Sequence, residues 1–138
     1  MASTGPLVLA TANGVGPGGL VTGTNASVSL SISLYAPDWL PVDEVRVVVN
    51  GAAPIPVPLA SFVADATDSR LRKATLTVPM PAGKDAWLVV EAGVSRTQTG
   101  PYKVGTPWNK LMRGIYPIAI TNPIFVDVNG GGYTPPGL

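Results

Sequence analysis

In 138 residues the chain carries nine basic and eight acidic side chains, no His and no Cys. Those counts exclude a Ser-His-Asp triad, a Cys nucleophile, His-based metal sites, zinc knuckles and disulfides. A net charge of +1 leaves no basic field to hold nucleic acid or an anionic membrane.

The length suits one domain, residues 1–138. Apolar residues at 46% against 12% charged argue for a packed core, and 16 Gly with 15 Pro make long helices scarce. The start, Met1-Ala2-Ser3-Thr4-Gly5-Pro6, lacks the cationic and apolar regions of a signal peptide. The longest apolar runs are strand-sized, far short of the ~20 residues of a membrane helix, so no membrane insertion is expected.

In chain order, residues 6–12 read as a first strand, and the five glycines within 13–25 demand a loop. Residues 26–35 alternate strictly: Val28, Leu30, Ile32 and Leu34 on one face, Ser27, Ser29, Ser31 and Ser33 on the other. Period two means a half-buried strand. Pro37-Asp38 sets a turn. Residues 42–49 form the next strand, and Asn50-Gly51 closes it as a type I′ turn because both residues tolerate positive φ. Residues 54–63, with Pro54, Pro56 and Pro58, suit only an edge strand. Strands follow at 70–78 and 85–92, the latter with Leu88, Val90 and Ala92 opposite Trp87, Val89 and Glu91. Within the irregular segment 95–114 the spacing predicts a short helix near 107–113, with Thr106 as N-cap, Pro107 first and Gly114 as the stop. The last strand pair is 116–122 and 123–128, ahead of a glycine-rich tail. About seven strands with regular turns predict an all-β, antiparallel two-sheet sandwich, immunoglobulin-like or fibronectin III-like.

Few residues offer chemistry. The six Asp and two Glu fall at turns and strand ends, and no pair is spaced as a glycosidase requires. The tail segment from Asp127 places Asp127 and Asn129 at positions 1 and 3 of a calcium-type loop and Gly132 at position 6. Position 5 is Gly131 and position 12 is Leu138, so the expectation is a weak calcium site or a plain turn. No organic cofactor is expected. Trp108, Leu111 and Met112 stand at i, i+3 and i+4 of the predicted helix, one apolar face that either lids an open end of the sandwich or docks on a neighbour. Tyr102, Trp108, Tyr116 and Tyr133 would either plug that end or, exposed, form a stacking platform. Trp39 and Trp87 are read as packing beside strands.

Four pieces in order carry a family resemblance: Ala36-Pro37-Asp38-Trp39-Leu40-Pro41-Val42-Asp43; residues 45–51; Lys84-Asp85-Ala86-Trp87-Leu88-Val89-Val90; and Ala119-Ile120-Thr121-Asn122-Pro123-Ile124-Phe125-Val126-Asp127. Together they resemble the C-terminal β-sandwich region of bacterial metal-dependent hydrolases with a polymerase-and-histidinol-phosphatase catalytic domain, the carbaryl-hydrolase-like group. In that group a stretch like WIPVD-VEVVVNG precedes one like DSWVVV, and the chain ends in TNPIFVDVDGDG and prolines. The resemblance covers most of residues 28–136. The family's hydrolytic site uses His and Asp in a separate N-terminal domain, so its activity does not carry over, and its closing acidic loop is here Asn129-Gly130-Gly131-Gly132.

What the resemblance implies is the fold and the status of an accessory domain. The expectation is a non-enzymatic module that packs against a protein, either the parent catalytic domain or a second copy, through Trp108, Leu111, Met112 and Tyr116. If it belongs to a longer bacterial chain it would be secreted or periplasmic. The alternatives are a carbohydrate-binding module using Tyr102, Trp108 and Tyr133, and a self-assembling subunit of a shell or filament, for which the low charge is suited.

Overall fold

The computed structural model describes residues 1–24 and 26–136. Leu138, the twelfth position of the calcium-type loop, lies outside them, as does Asn25 in the first glycine-rich loop. The strands are β1 (Ala2–Ser3), β2 (Leu7–Ala12), β3 (Leu20–Thr22), β4 (Ser27–Tyr35), β5 (Glu44–Val49), β6 (Ile55–Val57), β7 (Val63–Ala64), β8 (Leu71–Pro79), β9 (Ala86–Gly93), β10 (Ile118–Ile120) and β11 (Ile124–Asp127). A 3-10 turn spans Leu59–Ser61, and one helix, α1, spans Pro107–Leu111.

Alternation along β4, β5 and β9 decides the architecture. Each strand has one apolar face to hide, and two sheets hide them against each other. The first sheet runs β2-β4-β8-β7, antiparallel throughout. The second is centred on β9. β5 pairs along one edge of β9 with β6 outside it. β10 and β11 share the other edge, with β1 and β3 outside them. The result is a β-sandwich. Its core sits between Val8, Val28, Leu30, Ile32 and Val78 of one sheet and Val45, Val47, Leu88, Val90, Ile124 and Val126 of the other, none more than 1% exposed. Each such side chain contributes about 1.5–3 kcal/mol by leaving water.

Several expectations change. The strands expected at 116–122 and 123–128 do not pair with each other. Both lie antiparallel on the same edge of β9, end to end. Between them residues 121–123 face only Val89 and Val90, a bulge. Pro123 lacks an N–H there. Thr121 bridges the gap, its N–H donating to Val90 O and its Oγ1 accepting from Val90 N, both at 3.0 Å. The glycine-rich stretch expected to be only loop contains β3, which pairs parallel to β11. The proline-rich segment is an edge strand only over β6; it then crosses through the 3-10 turn to β7 in the other sheet. Asn50 and Gly51 adopt φ of 51° and 69°, as a type I′ turn requires, yet pairing resumes only at Val47↔Ile55. Gly93 is irreplaceable on geometry: its φ is 133°, and a Cβ would lie 2.0 Å from Pro117 O.

Candidate functional site

Three surfaces hold the residues singled out above: the two ends of the sandwich and the outer face of the second sheet.

At one end β4 finishes, β5 begins and β9 finishes. Here Leu40, Val94, Tyr102 and Trp108 form a second small core, with Ala36, Val42, Met112 and Tyr116 packed on it. Thr106 caps α1, its Oγ1 accepting from Asn109 N, with Pro107 following. The helix is five residues long and ends at Leu111, with Met112 as its C-cap, shorter than the 107–113 expected. Trp108 is 1% exposed and its Nε1 donates to Ile115 O at 3.0 Å. Its ring fits because residue 5 is glycine: a Cβ there would stand 3.0 Å from two ring carbons. Tyr102 is buried, donates to Asp43 Oδ2 at 2.6 Å, and meets Tyr116 edge-on at 5.8 Å. Burial, with the Asp43 carboxylate beside it, holds the Tyr102 hydroxyl well above the ordinary tyrosine range.

This corrects the expected contact patch. Of Trp108, Leu111, Met112 and Tyr116, only Leu111 is a strongly exposed apolar side chain, at 69%. Trp108 is consumed by the fold, and Met112 and Tyr116 are half-buried against it. The glycan platform fails on the same ground. Tyr102 and Trp108 have no free ring face, while Tyr133 packs edge-on against Phe125, 5.3 Å away in a separate cluster. The exposed aromatic at this end is Trp39, taken from sequence as packing. It stacks on Trp108 at 6.4 Å and leaves its other side to solvent.

At the opposite end β9 begins and β11 finishes. Asp85 is buried and accepts from Val128 N at 3.0 Å and Thr134 N at 2.6 Å. Asp127, 2% exposed, accepts from Gly130 N at 2.7 Å and Gly132 N at 2.9 Å. Asn129 Oδ1 accepts from Gly131 N at 2.8 Å. The oxygens proposed as calcium ligands are therefore engaged by the loop's own amides, and Asp127 with Asn129 builds a turn. Among the described residues no three His, Cys, Asp or Glu side chains gather as a metal site would require. Burial and the Asp85 charge push the Tyr133 hydroxyl up.

The outer faces of the two sheets differ in kind. On the first sheet Ser31 lies between Thr11 and Thr75, and Ser29 beside Thr77. Along its central strands β4 and β8 this is a hydroxyl surface, as a solvated sheet face should be, while Leu7, Leu9 and Val63 stand exposed on the same face of its edge strands. On the second sheet one cross-strand row reads Leu20, Phe125, Trp87. The next holds Val89 opposite Val48, both facing outward by alternation yet only 8% and 6% exposed. Trp87, Val89, Pro123 and Phe125 line an apolar depression of about 340 Å³. Leu20 is 45% exposed, and Ile118 and Ile120 continue the surface along β10.

A charged corner borders it. Arg46 on β5 pairs with Glu91 on β9 at 2.5 Å and with Glu44, while Arg96 grips both Glu91 oxygens at 2.9 and 3.0 Å. Burial acts to raise the Glu91 carboxyl, but the hydrogen bonds from Arg46 and Arg96 outweigh it and hold it below the ordinary glutamate range.

Alternation on β9 had placed Trp87 and Val89 on one side. Their union with Phe125 depends on the antiparallel β9–β11 pair, and that with Leu20 on the parallel β3–β11 pair, which no local pattern announces. No protein-family model matches the chain, and a search of curated proteins finds no match.

Proposed function

We propose that the chain is a non-catalytic sandwich module that packs against a protein through the outer face of the second sheet. One observation carries the reading. The row Leu20, Phe125, Trp87, flanked by Val89 and Val48, runs apolar across the central strand β9, where the central strands β4 and β8 of the first sheet show hydroxyls and apolar side chains are exposed only on its edge strands, at Leu7, Leu9 and Val63. Partner-facing patches combine an apolar, aromatic centre with a polar rim, and the Arg46–Glu91–Arg96 network supplies such a rim. The strand order supports an immunoglobulin-like reading. β2-β4-β8-β7 corresponds to the four-strand sheet of that fold, and β5, β9 and the β10/β11 edge correspond to its partner sheet. Following the resemblance of the sequence pieces, the partner is the catalytic domain of a bacterial metallohydrolase to which the module is attached, or a second copy of the module.

The test is site-specific photocrosslinking in the source cells. Benzoylphenylalanine replaces Trp87 in one version and Ser31, on the opposite face, in another. The expected result is a discrete adduct from position 87 and none from position 31, its mass distinguishing a second copy from another protein. Equal or absent crosslinking from position 87 would overturn the assignment of this face. Sedimentation across a dilution series tests the copy-to-copy form independently.

A further inference from the structure

Asn-Gly occurs three times, at Asn13-Gly14, Asn50-Gly51 and Asn129-Gly130. In such a pair the glycine nitrogen, with no Cβ beside it, can close a succinimide ring on the asparagine side-chain carbonyl carbon. The three pairs sit in different surroundings. Asn13 Oδ1 accepts from Ser29 N at 2.8 Å across a strand gap. Asn50 is tied at both ends of its amide, Oδ1 accepting from Trp87 N at 2.8 Å and Nδ2 donating to Asp85 O at 3.3 Å. Asn129 is exposed. Its would-be nucleophile, Gly130 N–H, donates to Asp127 Oδ1 at 2.7 Å, and its own Oδ1 accepts from Gly131 N–H at 2.8 Å. Among the described residues, no carboxylate accepts from Gly14 N or Gly51 N.

We propose that Asn129 is a self-modifying site, at which the folded loop promotes succinimide formation and deamidation. Asp127 is the base. It takes the Gly130 amide proton as the nitrogen attacks the Asn129 carbonyl carbon. The Gly131 N–H stands where negative charge develops on Asn129 Oδ1, the role of an oxyanion donor. Collapse breaks the bond to the side-chain nitrogen, which takes up the proton from Asp127 and leaves as ammonia. Water then opens the succinimide to an aspartyl or isoaspartyl residue at position 129. One water is consumed, one ammonia is released, and nothing is oxidised or reduced. The arrangement unites a positioned base, an unhindered nucleophile and a polarised electrophile on consecutive residues, and it makes the turn's own hydrogen bonds the catalyst.

The test incubates the purified chain in neutral buffer, native and in urea, and follows the three asparagines by peptide mass spectrometry with an isoaspartyl-specific methyltransferase assay. Position 129 is expected to convert faster in the native chain than in urea, whereas positions 13 and 50 convert more slowly when native. Asp127→Asn, which keeps an oxygen toward Gly130 but removes the base, is expected to slow position 129 on the order of a hundredfold, the lower end of a positioned base's contribution. A native rate at position 129 no faster than the urea rate overturns the proposal, and this comparison needs no variant. A rate unchanged by Asp127→Asn overturns the assignment of the base.

Discussion

Where β4 finishes and β5 begins, Leu40, Val94, Tyr102 and Trp108 close the sandwich with side chains. At the opposite end, Asp85 and Asp127 close it by gripping backbone amides of the tail. The difference follows from what each segment has to offer. Residues 101–116 carry aromatic and aliphatic groups that can be buried. Residues 129–132, Asn-Gly-Gly-Gly, have almost no side chain to bury. Only their N–H groups can be held, and a buried carboxylate satisfied by two amides holds them well. One end is stabilised chiefly by the hydrophobic effect, the other chiefly by charge-assisted hydrogen bonds.

The sharpest way to break this comparison is at Trp108. Trp108→Ala should cost about 3–5 kcal/mol, read as a lower urea midpoint, because the ring is fully buried between Gly5, Leu40 and Trp39. Against a total stability of about 5–15 kcal/mol that is a large share. The amides of Gly130 and Thr134 should keep their local protection from hydrogen exchange relative to global unfolding. If they lose it, the ends are one cooperative unit and the contrast between them is only descriptive.

Asp85 tests the other end with a smaller effect. Asp85→Ala strands the buried Val128 amide, while the exposed Thr134 amide can return to water. The expected cost is about 1–3 kcal/mol, with exchange of the Val128 and Thr134 amides accelerating before that of the Trp108 indole N–H. Asp85→Asn keeps one acceptor and should fall between the parent and the alanine variant. Equal losses in the two variants would mean that packing, and not amide satisfaction, holds the tail.

Much of the frame is visible in residue order alone. The serine–aliphatic alternation of β4, the valines of β5 and the Thr106-Pro107 helix start are local signals, and each lands within two residues of its expected place. What escapes is non-local. Leu20–Thr22 becomes a strand only because β11 offers it a parallel edge. The end-to-end placement of β10 and β11 depends on the Thr121 bulge against Val90. Spacing put Trp108 and Leu111 on one helical face, but the five-residue helix buries Trp108 beside Gly5 and Trp39 and leaves Leu111 exposed. The apolar outer face was half legible, in Trp87 and Val89. Its remaining members arrive through strand pairing. Asp85 gave no sign of its role, because its two amide donors are 43 and 49 residues away.

The smallest expected effect separates the ends by pH. Tyr102 donates to Asp43, so Tyr102→Phe should cost about 0.5–1.5 kcal/mol at neutral pH. Its hydroxyl holds its proton more tightly folded than unfolded. The stability it contributes is therefore fully present below the unfolded tyrosine pKa of ~10, and it drains as the pH rises beyond that point, because the unfolded chain ionises first. Urea unfolding at a series of alkaline pH values should show the parent losing stability above pH ~10 more steeply than Tyr102→Phe, with the two curves converging. In the parent, the amides of residues 95–116 should open before those of the tail over the same range, because Tyr133 at the tail end is shifted in the same direction but by less than Tyr102. Parallel curves for parent and variant would show that the hydroxyl is not what seals the aromatic end, leaving its stability to the apolar rings alone.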